Sequence, residues 1–196
     1  MGNIIIMTTL RFTAFYVITL ALWLSVQNYY GVFIVEIVAP LIASVKGISS
    51  ELIMHTGNDV TVTFAYRRGG GTPQVMDIIV KTSFYSFSAP LTFAILSAYY
   101  PFLRRNATFS REFASRYGIL LFYLQILGAL FVFHVVIVFF MIGKDLSVLL
   151  ADMAVATSRQ RVEVWRFVGQ FIEYIVKRAE PLLVGFYIYI RFFYYK

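Results

Sequence analysis

The polar residues late in the chain form its clearest constellation: Arg166, Gln170, Glu173, Lys177 and Glu180 recur at steps of four, three, four and three. On a helix that spacing gathers them on one face, opposite Trp165, Val168, Phe171, Ile172, Ile175 and Val176. Two chemistries fit such a stripe. It can be the solvated or headgroup-facing side of an interfacial helix, with Glu173 and Lys177 paired four residues apart. It can also be a seam against a partner protein's helix, where each buried charge must be matched. The stripe is therefore the candidate partner interface.

Other reactive residue types are sparse. The chain has no cysteine, which excludes a thiol nucleophile, a thiolate metal site and a disulfide framework. His55 and His134 are its two histidines and fall on different segments, so no metal site is expected. His134 lies inside an apolar run, where an ionisable group is a functional candidate for proton handling; its plainer role is a hydrogen bond to a neighbouring helix. Ser83, Ser86 and Ser88 have no base near them in sequence and read as caps or small packing residues. Arg67 to Pro73 contains a glycine run that matches no phosphate-binding pattern and reads as a turn. No catalytic, cofactor or metal residues are assigned, and a non-enzymatic protein is expected.

The elements that carry these residues follow from composition. Sixty per cent of the 196 residues are hydrophobic and 14% are charged, against about 25% charged in an average soluble domain. So small a globule has too little interior for that much apolar surface, and a bilayer is the expected solvent. The net charge of +7 then reads as basic loops that set orientation rather than a nucleic-acid surface. Four spans are expected, at about 12–30, 82–103, 117–143 and 167–190, within one integral membrane domain covering 1–196. Trp23, Tyr29 and Tyr30 suit the far interface of the first span, and Gly31 to Val45 reads as a near-surface continuation interrupted at Pro40. The first run is expected to be a retained anchor, and Ile6 stands where a myristoylation signal needs Ser or Thr.

Arg104, Arg105, Arg111 and Arg116 make the loop after the second span cytoplasmic, with both termini on the same side. Residues 46–81 then form an outer β-rich insertion. Within it, Val60 to Tyr66 and Val75 to Val80 read as strands joined by the glycine turn, giving a hairpin or small sheet. Residues 144–164 form an outer amphipathic segment, in which Leu146, Leu149, Leu150 and Met153 fall at helical spacing beside Asp145 and Asp152. The final helix is expected to enter the membrane amphipathically and to kink at Pro181. The fold class is thus mainly α and membranous, with a small outer sheet and interfacial amphipathic helices.

Several local motifs resemble a family of small bacterial membrane proteins, the exosortase H-associated membrane proteins. They are Val38, Ala39, Pro40 and Leu41 after the first span, and the opening of the second, Phe84, Tyr85, Ser86, Phe87, Ser88, Ala89, Pro90 and Leu91. Later come Gly169, Gln170 and Tyr174, then Pro181, Leu182 and Leu183, and finally Arg191 and Phe192. The resemblance implies an accessory protein that accompanies an exosortase, a transpeptidase-like membrane enzyme, without carrying its catalytic cysteine. Lys177, Arg178 and Glu180 depart from the mostly apolar last helix of that family.

The expected function is a multi-pass subunit of the bacterial inner membrane that docks on a larger complex through its aromatic spans and outer sheet. A stabilising subunit of a bioenergetic or other oligomeric membrane complex is the alternative. A small transporter, with His134 and the polar stripe as its only support, ranks third. The expected partners are membrane lipids and other integral membrane proteins. Neither nucleic acid nor a small-molecule substrate is expected.

Overall fold

A computed structural model describes residues 2–56, 59–67, 72–81, 88–113, 115, 117–153 and 158–194. Arg116, the Arg68 to Gly71 part of the turn, and Ser83 to Phe87, including Tyr85 and Ser86, lie outside the described residues. The protein is mostly helical with one small antiparallel sheet.

α1 (Gly2–Lys46) is a single helix of 45 residues, about 67 Å long at 1.5 Å per residue. The break expected at Pro40 does not occur. Proline removes the bond to the carbonyl of Glu36, but Val38, Ala39, Ile42 and Ala43 around it are buried, and their packing keeps the helix going. It stops at Gly47, whose φ of 66° suits glycine. There the Gly47 N–H donates to Ser44 O and the Ile48 N–H to Ala43 O, a Schellman closure that turns the chain into the sheet.

The sheet runs β1 (Ser49–Thr56), β2 (Asp59–Tyr66) and β3 (Gln74–Lys81), in that order and antiparallel throughout. Val62 stands opposite Ile53 on one side and Ile78 on the other. Alternation puts Val60, Val62, Phe64, Met76, Ile78 and Val80 on a buried face. The β2–β3 hairpin is the one expected from sequence. β1 is an addition: its Ser-Glu-Leu-Ile-Met-His-Thr stretch has weak strand character, and pairing with β2 holds it extended.

α2 (Ser88–Arg105) and the short α3 (Ala107–Glu112) follow, separated by Asn106, whose side chain accepts from the Thr108 and Phe109 N–H groups as an N-cap. α4 (Gly118–Asp152) runs for 35 residues. The separate interfacial helix expected after residue 143 is therefore a continuation of the third span, with Leu146 and Leu150 buried. α5 (Arg159–Phe171), capped by Ser158, leads through a π-helical turn (Ile172–Val176) into α6 (Lys177–Tyr189) and a second π turn (Ile190–Tyr194). The irregularity expected at Pro181 falls before it. A proline ring crowds the carbonyl four residues back, here that of Lys177, and the wide turn ends immediately before that residue.

Among the described residues, two helices are long and apolar enough to cross a membrane: α1 over Ile4–Lys46, and α4. The other two expected spans do not reach that standard. α2 ends in Arg104 and Arg105 after 18 residues, and Lys177, Arg178 and Glu180 interrupt the last helix.

Contacts divide the chain into two compact units. One comprises residues 1–25, 87–132 and 178–196. Its core is aromatic: the Phe109 ring lies 4.9 Å from Phe113, 5.1 Å from Phe122 and 5.2 Å from Phe192, among Leu96, Leu103, Ile126 and Ile188. The other comprises residues 26–86 and 133–177. It holds the sheet together with the buried Ile34, Val35, Val38 and Ile42 of α1 and Ile137, Val138, Ile142 and Leu146 of α4.

Candidate functional site

The densest polar cluster lies in the unit that contains the sheet, and two glycines make room for it. A Cβ on Gly143 would come within 2.2 Å of the Trp165 ring, and one on Gly169 within 2.7 Å of the Lys144 Cβ. α4 and α5 thus meet through a bare backbone on each side. Trp165 is flanked by Phe139 and Phe140, with ring centroids 5.9 and 5.7 Å away. Lys46, the last residue of α1, places its Nζ 3.8 Å from the centroid of the Trp165 ring, a cation–π contact. The same ammonium donates to Ser147 Oγ, and Ser147 donates in turn to Gly143 O at 2.6 Å.

One turn away, Lys144 Nζ donates to Glu173 Oε2 at 2.7 Å and lies 3.6 Å from Asp145 Oδ1. Both side chains of the closer pair are largely withdrawn from solvent, at 20% and 16% exposure. Further along α4, His134 is fully buried, and its Nδ1 shares a 2.7 Å hydrogen bond with the Tyr30 hydroxyl of α1. That is the bond to a neighbouring helix which is the plainer of the two sequence readings of His134.

The chemistry open to this cluster is limited by access. Serine beside lysine is the pairing of a hydroxyl nucleophile with an amine base, but the Ser147 side chain is 1% exposed and its proton is directed at Gly143 O. The pair acts as a bridge between α1 and α4. Among the described residues no three His, Asp or Glu side chains gather as a metal site.

The sequence-derived stripe is not one continuous face. A π turn inserts an extra residue, and this one falls between Gln170 and Lys177. Arg166 is exposed and pairs with Glu163 at 3.3 Å, and Gln170 is exposed. Glu173 turns to Lys144 of α4. Lys177 is half-buried, and Glu180, in the other unit, is 1% exposed. On the opposite side Ile172 is buried, but Phe171 and Ile175 are 46% and 55% exposed.

The remaining expected residues lie in the unit with the aromatic core. Arg104, Arg105 and Arg111 are exposed at the ends of α2 and α3. Pro90 and Pro181 are buried, and Leu91 is half-buried. Ser88 opens α2 with its hydroxyl buried and without a hydrogen bond among the described residues. Arg191 donates to Glu112 at 3.0 Å and to Tyr187 at 2.8 Å, and both bonds raise its already high pKa. Asn106 Nδ2 donates to Phe192 O, which ties the end of the last helix to the α2–α3 corner.

Sequence reasoning missed Lys46, Lys144, Ser147 and Trp165 as a group. Lys46 and Ser147 are 101 residues apart, and no local pattern links them. The glycines at 143 and 169 were the available hint, since small residues mark close helix approach. Comparison of the chain with protein-family models, with curated proteins and with solved structures finds no match.

Proposed function

We propose that the protein is a non-enzymatic, multi-pass membrane subunit that docks on a larger membrane complex. The observation that supports this reading is apolar surface left uncovered along whole helices. On α1, Ile5, Leu10, Val17, Leu22 and Tyr29 are each more than half exposed, as are Phe167 and Leu182 on the last helix. A soluble monomer rarely shows apolar patches beyond a few hundred Å², and lipid or a partner's helices would cover these side chains. In the proposed topology α2 and the last helix also cross, completing four spans. Their charged ends lie at the interfaces, and the termini and the Arg104–Arg105–Arg111 loop face the cytoplasm of a bacterial inner membrane. The sheet then stands on the outer side, with Leu52, Met54, Val75 and Ile79 half exposed as a docking face. An exosortase sorting assembly is the complex that the sequence resemblance favours.

Mild-detergent extraction of the native membrane, with sizing and mass spectrometry of what travels with the chain, tests this reading. Recovery with an exosortase or its substrates is the expected result. Recovery with a respiratory or other bioenergetic complex would keep the docking role and replace the sorting one. A monodisperse single chain from several detergents would overturn both.

A further inference from the structure

The unit with the aromatic core contains an apolar groove of about 1020 Å³, at the top of the about 300–1,000 Å³ range of ligand pockets. Two of its walls are stretches of equal length, Leu91 to Leu103 of α2 and Pro181 to Phe193 of the last helix. Asn106 bonding Phe192 O and Arg191 bonding Glu112 place the C-terminal ends of these walls together. The third wall is the start of α1, where Thr8, Thr9 and Phe12 face the groove. Thr19 bonding Pro90 O at 3.2 Å sets α1 alongside α2.

Thirteen residues, or twelve helical rises, make walls about 18 Å long, close to the about 15 Å of one leaflet's hydrocarbon. The lining is almost wholly apolar, and its polar residues are threonines and tyrosines. Exposed Arg104 and Arg105 follow Leu103 directly, and Arg191 lies between the lining residues Tyr189 and Phe193. Two exposed guanidinium groups, those of Arg104 and Arg105, therefore follow the last lining residue of one wall, while that of Arg191 is held by Glu112 and Tyr187.

We infer that this groove holds an acyl chain of an anionic phospholipid from the cytoplasmic leaflet, with its phosphate at Arg104 and Arg105. Guanidinium forks suit phosphate oxygens, and a lipid seated this way covers apolar wall that the chain leaves open. The inference rests on the membrane reading above. Gly185 lines the groove, and a Cβ built there meets nothing within 4 Å. A leucine at this position enters the groove without displacing the fold.

The test uses the full chain purified in mild detergent, with bound lipid extracted and quantified, and thermal unfolding followed as phosphatidylglycerol or phosphatidylcholine is added. Wild type should retain anionic lipid and unfold at higher temperature with phosphatidylglycerol than with phosphatidylcholine. Gly185→Leu should keep its fold and lose the retained lipid. Arg104→Gln with Arg105→Gln, both at exposed positions, should weaken the phosphatidylglycerol effect about 30-fold while leaving that of phosphatidylcholine unchanged. Equal retention by wild type and a folded Gly185→Leu, or equal response to the two lipids, would overturn the inference alone. Release of the chain from membranes by alkaline carbonate would instead overturn the membrane reading, and the lipid site with it.

Discussion

Lys144 Nζ and Glu173 Oε2 meet at 2.7 Å between α4 and the π turn after α5, while the stem of the same lysine presses against the bare backbone of Gly169. One side chain thus supplies both the charge and the packing that join two helices.

Glu173→Gln leaves the largely withdrawn Lys144 ammonium with Asp145, 3.6 Å away, as its remaining carboxylate and should lower stability by about 1 kcal/mol. Exchanging the charges, Lys144→Glu with Glu173→Lys, should recover part of that loss. Thermal unfolding in detergent reads both. Equal losses for the single and the exchanged variants would show that packing, not the pair, matters at this joint.

Gly143→Ala should separate α4 from α5, because its methyl would occupy the space of the Trp165 ring. Gly128→Ala on the same helix meets nothing within 4 Å, so it should be neutral or gain up to about 1 kcal/mol from helix propensity. Trp165 fluorescence should change in the first variant and remain as in wild type in the second.

Tyr30→Phe removes the hydroxyl that bonds the buried His134 and should cost about 1–2 kcal/mol. Tyr30→Phe combined with His134→Phe should cost less than the two single changes together, since each single change already breaks the same bond. A double-mutant cycle by chemical denaturation measures the difference. Additive losses would assign no coupling to this bond.

The absence of cysteine makes single-cysteine topology mapping clean. Thr63→Cys, partly exposed on β2 and bonded to Asp77, should react with a membrane-impermeant maleimide in intact cells. Ser110→Cys in α3 should react only after permeabilisation. Reaction of both, or of neither, in intact cells would overturn the four-span orientation.

Much of the fold is legible locally. The apolar runs predict long helices, and β-branched alternation predicts the β2–β3 hairpin, because both depend on the period of the side chains. Pro40 misleads because burial of Val38, Ala39, Ile42 and Ala43 outweighs one lost hydrogen bond. β1 is hidden because its extension depends on pairing with β2 rather than on its own residues. The polar stripe is readable as spacing, yet its reading assumes 3.6 residues per turn throughout, and the π turn at Ile172–Val176 removes that assumption.

The local sequence alone determined the apolar, helical character of this chain, since that follows from summed transfer energies along short windows. The tertiary structure decided which polar groups meet. Lys46 with Ser147 and Trp165, Lys144 with Glu173, and Tyr30 with His134 are each joined across long stretches of sequence. Such pairs form only where helix packing brings them within hydrogen-bond reach and withdraws them from solvent, and neither condition is encoded by residue type or spacing.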